Sequence, residues 1–113
     1  MIETLFEVWN DMQVEYLRQG SLSSAEDYPK KEFFTFWRHT NEDAAFYSNQ
    51  PHKRIEGYSI CYYSTQIETQ QARLDEFIHK VMQKGGITKG RGTDIQSDRH
   101  DYLGLTLDVY FVV

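Results

Sequence analysis

The alternation of apolar and polar positions divides the chain into six predicted elements. Ile2, Leu5, Phe6, Trp9, Met12, Tyr16 and Leu17 recur at steps of three and four, the spacing that gathers side chains on one helix face. Glu3 and Glu7 near one end and Arg18 near the other suit the helix dipole. Gly20 supplies a stop, so a first helix is predicted over 2–19. The polar stretch SLSSAED connects it to Pro29, and KEFFTFWRH follows. Phe34 and Phe36 point one way there, Phe33, Thr35 and Trp37 the other, which describes a strand with bulky groups on both faces. Phe34 and Phe36 are expected beneath the helices. The opposite face, with Trp37, is expected to be free for a neighbour.

NEDAAFYSNQPHKR reads as a long polar excursion ending near Pro51. RIEGYSICYYS then forms a second strand, with Ile55, Gly57, Ser59, Cys61 and Tyr63 on one face and Glu56, Tyr58, Ile60 and Tyr62 on the other. Thr65-Gln-Ile-Glu68 has the form of a capping box, opening a second helix that runs to about Lys84. Its predicted stripe is Ile67, Leu74, Phe77, Ile78, Val81 and Met82, and Gly85-Gly86 ends it. ITKGRGTDIQSDRHDY is rich in Gly and Asp, with a short strand expected around Ile87 and Thr88. In LGLTLDVYFVV, Leu103, Leu105, Leu107, Val109, Phe111 and Val113 face one way and Gly104, Thr106, Asp108, Tyr110 and Val112 the other. The order predicts an α+β fold, in which two amphipathic helices pack on one face of a small, mainly antiparallel sheet. Residues 1–113 are expected to form one domain.

Composition narrows the function classes. A net charge of −5 argues against broad phosphate-backbone binding, and the basic residues are scattered. Aromatic residues make up 15% of the chain, with 8 Tyr and 7 Phe, which implies a core or an interface rich in large rings. Cys61 is the single cysteine, so an intrachain disulfide is excluded and a reducing compartment is expected. MIETLFEVWND carries acids where a signal peptide carries Lys or Arg, and no apolar run reaches bilayer length. A cytoplasmic protein without a membrane segment is expected.

The candidate chemistry is thin. Cys61 lies within an aromatic strand, where a small buried thiol is common, and nothing in the sequence places His39, His52, His79 or His100 beside it as a base. Asp94, Asp98, His100 and Asp101 cluster as a candidate divalent-ion loop, but the Gly and terminal Glu of a calcium loop are absent. GGITKGRGTD follows a helix instead of leading into one, the reverse of a phosphate-binding loop. Aromatics interleaved with Lys can stack bases, yet the acidic balance and the needs of a core account for the same residues. The expectation is a non-enzyme with no cofactor and no metal, built for interaction or assembly.

Four stretches occur in an order that points further: YPKKEFFTFW (28–37), FYSNQPH (46–52), YYS (62–64) and GGITKGRGTDIQSD (85–98). Together they resemble small neck proteins of tailed phages and prophages of Gram-positive bacteria, described as tail completion, tail terminator or head–tail joining proteins. The resemblance runs from Tyr28 to the end, and the N-terminal helix agrees in character only. One departure is RHDYLGL after Asp98, where the resemblance leads one to expect a Thr-His-type turn. The resemblance implies helices packed on a small sheet. It implies a ring, usually a hexamer, on the head-proximal end of the tail tube, with tail tube protein and head connector as partners. Genomic DNA would pass through the lumen without specific binding. The location implied is the host cytoplasm during assembly and then the virion neck. Trp37, His39, Glu42, Asp43, Phe46, Tyr47, Arg91, Asp94, Asp98 and His100 are the expected partner-interface residues. The alternatives are another neck or tail component, such as a connector adaptor, and a small nucleic-acid-binding or regulatory domain.

Overall fold

The computed structural model describes residues 2–18, 31–43, 54–95 and 102–112. Helix α1 spans Ile2–Met12 and α2 spans Ile67–Gln83; the strands are β1 (Glu15–Arg18), β2 (Glu32–Asp43), β3 (Arg54–Ser64), β4 (Ile87–Ile95) and β5 (Leu103–Val112). They form one sheet in the order β1-β2-β3-β5-β4. β1 runs parallel to β2, and the other three pairings are antiparallel. This is the expected α+β fold, with the helices on one sheet face. Neither helix among the described residues is long and apolar enough to cross a membrane.

The first helix is shorter than its periodicity predicts. Gln13 adopts φ 58°, and its N–H donates to the Asn10 carbonyl at 3.1 Å while Val14 N–H donates to the Trp9 carbonyl at 3.1 Å. That pair of bonds is a Schellman stop, here with Gln in the left-handed position that Gly usually fills. Tyr16 and Leu17 therefore belong to β1, paired with Phe34 and Thr35. The second helix ends as expected: Gly85 takes φ 91°, and Gly86 N–H donates to the Val81 carbonyl at 3.0 Å. Its start differs. Thr65 gives both its hydroxyl and its N–H to the Lys31 carbonyl, each at 3.2 Å, so the capping box does not form. Ser64 Oγ instead accepts from Gln66 N–H at 3.0 Å.

The core lies between the helices and the sheet. Phe34 and Phe36 of β2, Tyr58, Ile60 and Tyr62 of β3, and Leu105, Leu107, Val109 and Phe111 of β5 supply its floor. Leu5, Val8, Trp9 and Met12 of α1 and Leu74, Phe77, Ile78 and Val81 of α2 close it. Trp9 is the hub, with ring centroids 5.1 Å from Tyr16, 5.5 Å from Phe34 and 5.7 Å from Phe77. Two residues of the predicted α2 stripe fall outside it: Ile67 at the first turn and Met82 at the last are exposed. Gln70 is buried there, donating from Nε2 to the Leu103 carbonyl at 2.7 Å.

A polar network pins the elements at one end of the core. Tyr62 donates its hydroxyl to Glu32 Oε2 at 2.5 Å. Arg73 donates to Glu32 Oε1 at 3.0 Å, to Glu76 Oε1 at 2.9 Å and to the Met12 carbonyl at 2.6 Å. One guanidinium thus joins α2 to β2 and satisfies a carbonyl that α1 leaves unpaired at its end. Burial, and then the bond to Glu32, raise the Tyr62 phenol above its ordinary pKa.

Candidate interface on the helix-free face

The strand registers stack the helix-free face in rows. Phe33, Tyr63, Gly104 and Ile95 make the first row; Thr35, Cys61, Thr106 and Thr93 the second; Trp37, Ser59, Asp108 and Lys89 the third. Thr40, Gly57, Tyr110 and Ile87 make the fourth, beyond which Glu42, Ile55 and Val112 align. The first two rows are largely covered. Phe33 is buried, stacked on Tyr63 at 5.0 Å and edge-on to Tyr102 at 5.4 Å. That corrects the expectation of a wholly free face opposite Phe34 and Phe36. The later rows are open: Trp37 is 38% exposed, Ile87 58% and Val112 54%.

A register shift between Arg38 and Thr40 makes His39 an extra residue in β2, a bulge that re-aims its side chain. His39 Nδ1 lies 2.7 Å from Thr40 Oγ1 and Nε2 lies 3.7 Å from Asp108 Oδ1. Its ring stands edge-on to Tyr110 at 5.6 Å. Both rings close over Gly57, where an added Cβ would sit 2.8 Å from His39 Cε1 and from Tyr110 Cε1. Glycine is required at that point so that the two rings can meet. Ser59 Oγ donates to Asp108 Oδ1 at 3.3 Å. The carboxylate therefore stands between serine and imidazole, an order unlike a nucleophile–base–acid relay. The Cys61 thiol is buried and donates to Thr106 Oγ1 at 3.7 Å, a hydroxyl and not a base. Thr106 Oγ1 itself donates to the Ile60 carbonyl at 3.0 Å.

The edge of β2 changes character along its length. β1 pairs with Phe33 to Phe36 and ends at Arg18. From Trp37 on, the outer edge of β2 has no strand partner among the described residues. A groove of about 330 Å³ lies at that step, lined by Ile2, Phe6, Phe36, Trp37 and Tyr58 with Arg18 and Arg38. The Tyr58 hydroxyl donates to Glu56 Oε1 at 2.7 Å, and Arg54 donates to Glu56 Oε2 at 3.2 Å. Burial, reinforced by the bond to Glu56, pushes Tyr58 up to about 12.

The expected interface residues separate into two groups. Trp37, His39 and Glu42 lie along the free half of β2, and Asp43 closes the pairing with Arg54. Arg91 and Asp94 lie on β4, at the opposite edge of the sheet. β4 is a nine-residue strand where a short one is predicted, and Gly90 and Gly92 take φ 88° and 108° within its irregular middle. The Arg91 carbonyl accepts from Gln71 Nε2 at 3.0 Å, which ties that middle to α2. Phe46, Tyr47, Asp98 and His100, and with them most of the candidate ion loop, lie outside the described residues. Among the described residues no group of three or more His, Cys, Asp or Glu could hold a metal. Sequence reasoning missed Ile87, Asp108 and Tyr110 as members of this surface. The alternation of the last strand already set Asp108 and Tyr110 opposite the core face, whereas Ile87 needed the pairing of β4 with β5. In comparisons with known proteins, no family model matches the chain and no curated protein matches it.

Proposed function

We propose that this chain is a structural protein of a phage neck. It caps the tail tube as a ring, ends tube polymerisation and joins the tail to the head connector. The observation that carries the reading is the two-sided sheet. Helices seal one face into the core, while the other exposes Trp37, Ile87 and Val112, and from Trp37 on the outer edge of β2 has no strand partner among the described residues. Exposed apolar groups set beside unpaired backbone suit assembly with another chain. The ordered stretches 28–37, 46–52, 62–64 and 85–98 resemble those of small phage neck proteins and support the same reading.

Charge agrees with the role. At −5 the chain repels the phosphate backbone, so a lumen of such subunits lets DNA pass without gripping it. Subunits would wait in the host cytoplasm and end in the virion neck. The reading is tested by adding the purified protein to polymerising tail tube protein. Tubes are expected to stop growing, with gold-labelled protein at one end only. Unaltered tube growth, or label scattered along the tube, would refute it.

A further inference from the structure

We propose that copies of this chain join head to tail through their sheets, the Ile87–Lys89 edge of β4 from one copy pairing antiparallel with the Trp37–Thr40 edge of β2 from the next. The contact deepens the neck reading, on which its place in a ring rests, by naming how subunits meet. Three observations carry it.

The two edges stand level. Trp37 and Lys89 occupy one row across Ser59 and Asp108, and Thr40 and Ile87 occupy the next across Gly57 and Tyr110. β4 is separated from β2 by three antiparallel pairings, so the two strands run in opposite directions. A second copy rotated about an axis along the strands therefore brings its β4 to β2 in antiparallel sense, with matching rows opposed.

The obstacles to pairing also match. β1 covers β2 up to Phe36 and would hold off a straight neighbouring strand. β4 is not straight: its register breaks between Lys89 and Thr93, with Gly90 and Gly92 both at positive φ. A bulge bends its strand. This one falls between the Lys89 and Thr93 rows, level with the end of β1 at Phe36, so the straight first part of the β4 edge stops where the β1-covered part of β2 begins.

The side chains on the two edges are complementary. Trp37 and Ile87 are both partly exposed on the helix-free face, and the contact covers both. Lys89 of one copy comes level with the Trp37 ring of the next, a cation–π arrangement. A contact between unlike edges is heterologous, so repetition closes a ring or runs on as a filament. Two rows of pairing make a weak joint, which free subunits form only transiently, so a disulfide across it accumulates the contact.

Paired cysteines test the contact. Thr40→Cys and Ile87→Cys are placed singly and together in the full chain, with circular dichroism to verify folding and the buried Cys61 of the parent chain as control. Under mild oxidation the double variant is expected to give a ladder of disulfide-linked oligomers, and each single variant to remain monomeric. Adding Trp37→Ala to the double variant is expected to lower the cross-linking yield several-fold. A folded double variant that stays monomeric overturns the proposal. So does a single Thr40→Cys variant that dimerises, since that requires β2 to meet β2 about a twofold axis. The two levels of the reading separate cleanly. Capping of tubes by the parent protein with no ladder from the double variant removes this contact and leaves the neck role. A ladder with no effect on tubes removes the neck role and leaves the contact.

Discussion

Replacing Arg73 with Met tests whether the polar network at the end of the core acts as one unit. The substitution keeps much of the side-chain volume and removes three donated bonds, to Glu32, Glu76 and the Met12 carbonyl. The bond to Glu76 joins residues one helical turn apart near the surface, and such pairs contribute about 0.3–0.5 kcal/mol. The other two matter more, because Glu32 is 18% exposed and the Met12 carbonyl has α1's end behind it. Bonds to charged groups contribute about 1.5–3 kcal/mol each when sheltered, and water access to Arg73 lowers that. The expected loss is roughly 2–4 kcal/mol, or a fall in melting temperature on the order of 10 °C. Burial alone would lower the Arg73 pKa, but the bonds to Glu32 and Glu76 outweigh it and raise it, so the guanidinium stays charged. The assay is urea unfolding, read as a lower midpoint with an unchanged slope. Tyr62→Phe removes the other bond to Glu32, and the double variant should show a coupling above about 0.5 kcal/mol. A loss under about 1 kcal/mol for Arg73→Met, or strict additivity with Tyr62→Phe, would refute the reasoning.

Three further outcomes follow from the geometry. Gly92→Ala should cost about 1–3 kcal/mol in urea unfolding, because Gly92 has φ 108° and an added Cβ meets Leu74 Cδ2 at 2.6 Å. Gly90→Ala, at φ 88° with nothing within 4 Å, should cost only about 1 kcal/mol; equal losses would contradict this. Trp9→Ala should cost about 3–5 kcal/mol, yet Trp9→Phe much less, since the buried indole N–H has no hydrogen-bond partner to lose among the described residues. A Phe variant as unstable as the Ala variant would show that the indole ring itself is indispensable. The fold also favours the protonated phenols of Tyr58, raised to about 12, and Tyr62. An unfolded phenol loses its proton near pH 10, so this stability is complete below about pH 10 and is lost as pH rises toward 12. Urea midpoints that fall through this window, less steeply in Tyr58→Phe, are expected; a flat profile would contradict the shift.

Periodicity revealed most of the elements but not their ends. Tyr16 and Leu17 fit the helical spacing of α1 as well as the alternation of a strand. Pairing with β2 decided for the strand, and the stop fell on Gln13, a residue without the usual turn signature. The Thr65 capping pattern was overridden from across the sheet, because the Lys31 carbonyl takes both Thr65 donors. Gly90 and Gly92 interrupted the alternation of β4 and hid most of a strand that forms by pairing with β5. The two faces were legible where alternation was clean. Phe34 and Phe36 lie in the core and Trp37 lies on the helix-free side. Phe33 could not be placed so simply, since its burial depends on Tyr63 and on Tyr102 from a distant part of the chain. The level placement of Trp37 and Lys89 on opposite edges follows from strand order, which no local pattern contains.

The neck role is tested most directly by electron microscopy of tails assembled with and without this protein. Without it, tails should be overlong and free of heads, and supplying the protein should restore both uniform length and head attachment. Tails of normal length joined to heads in its absence would contradict the account.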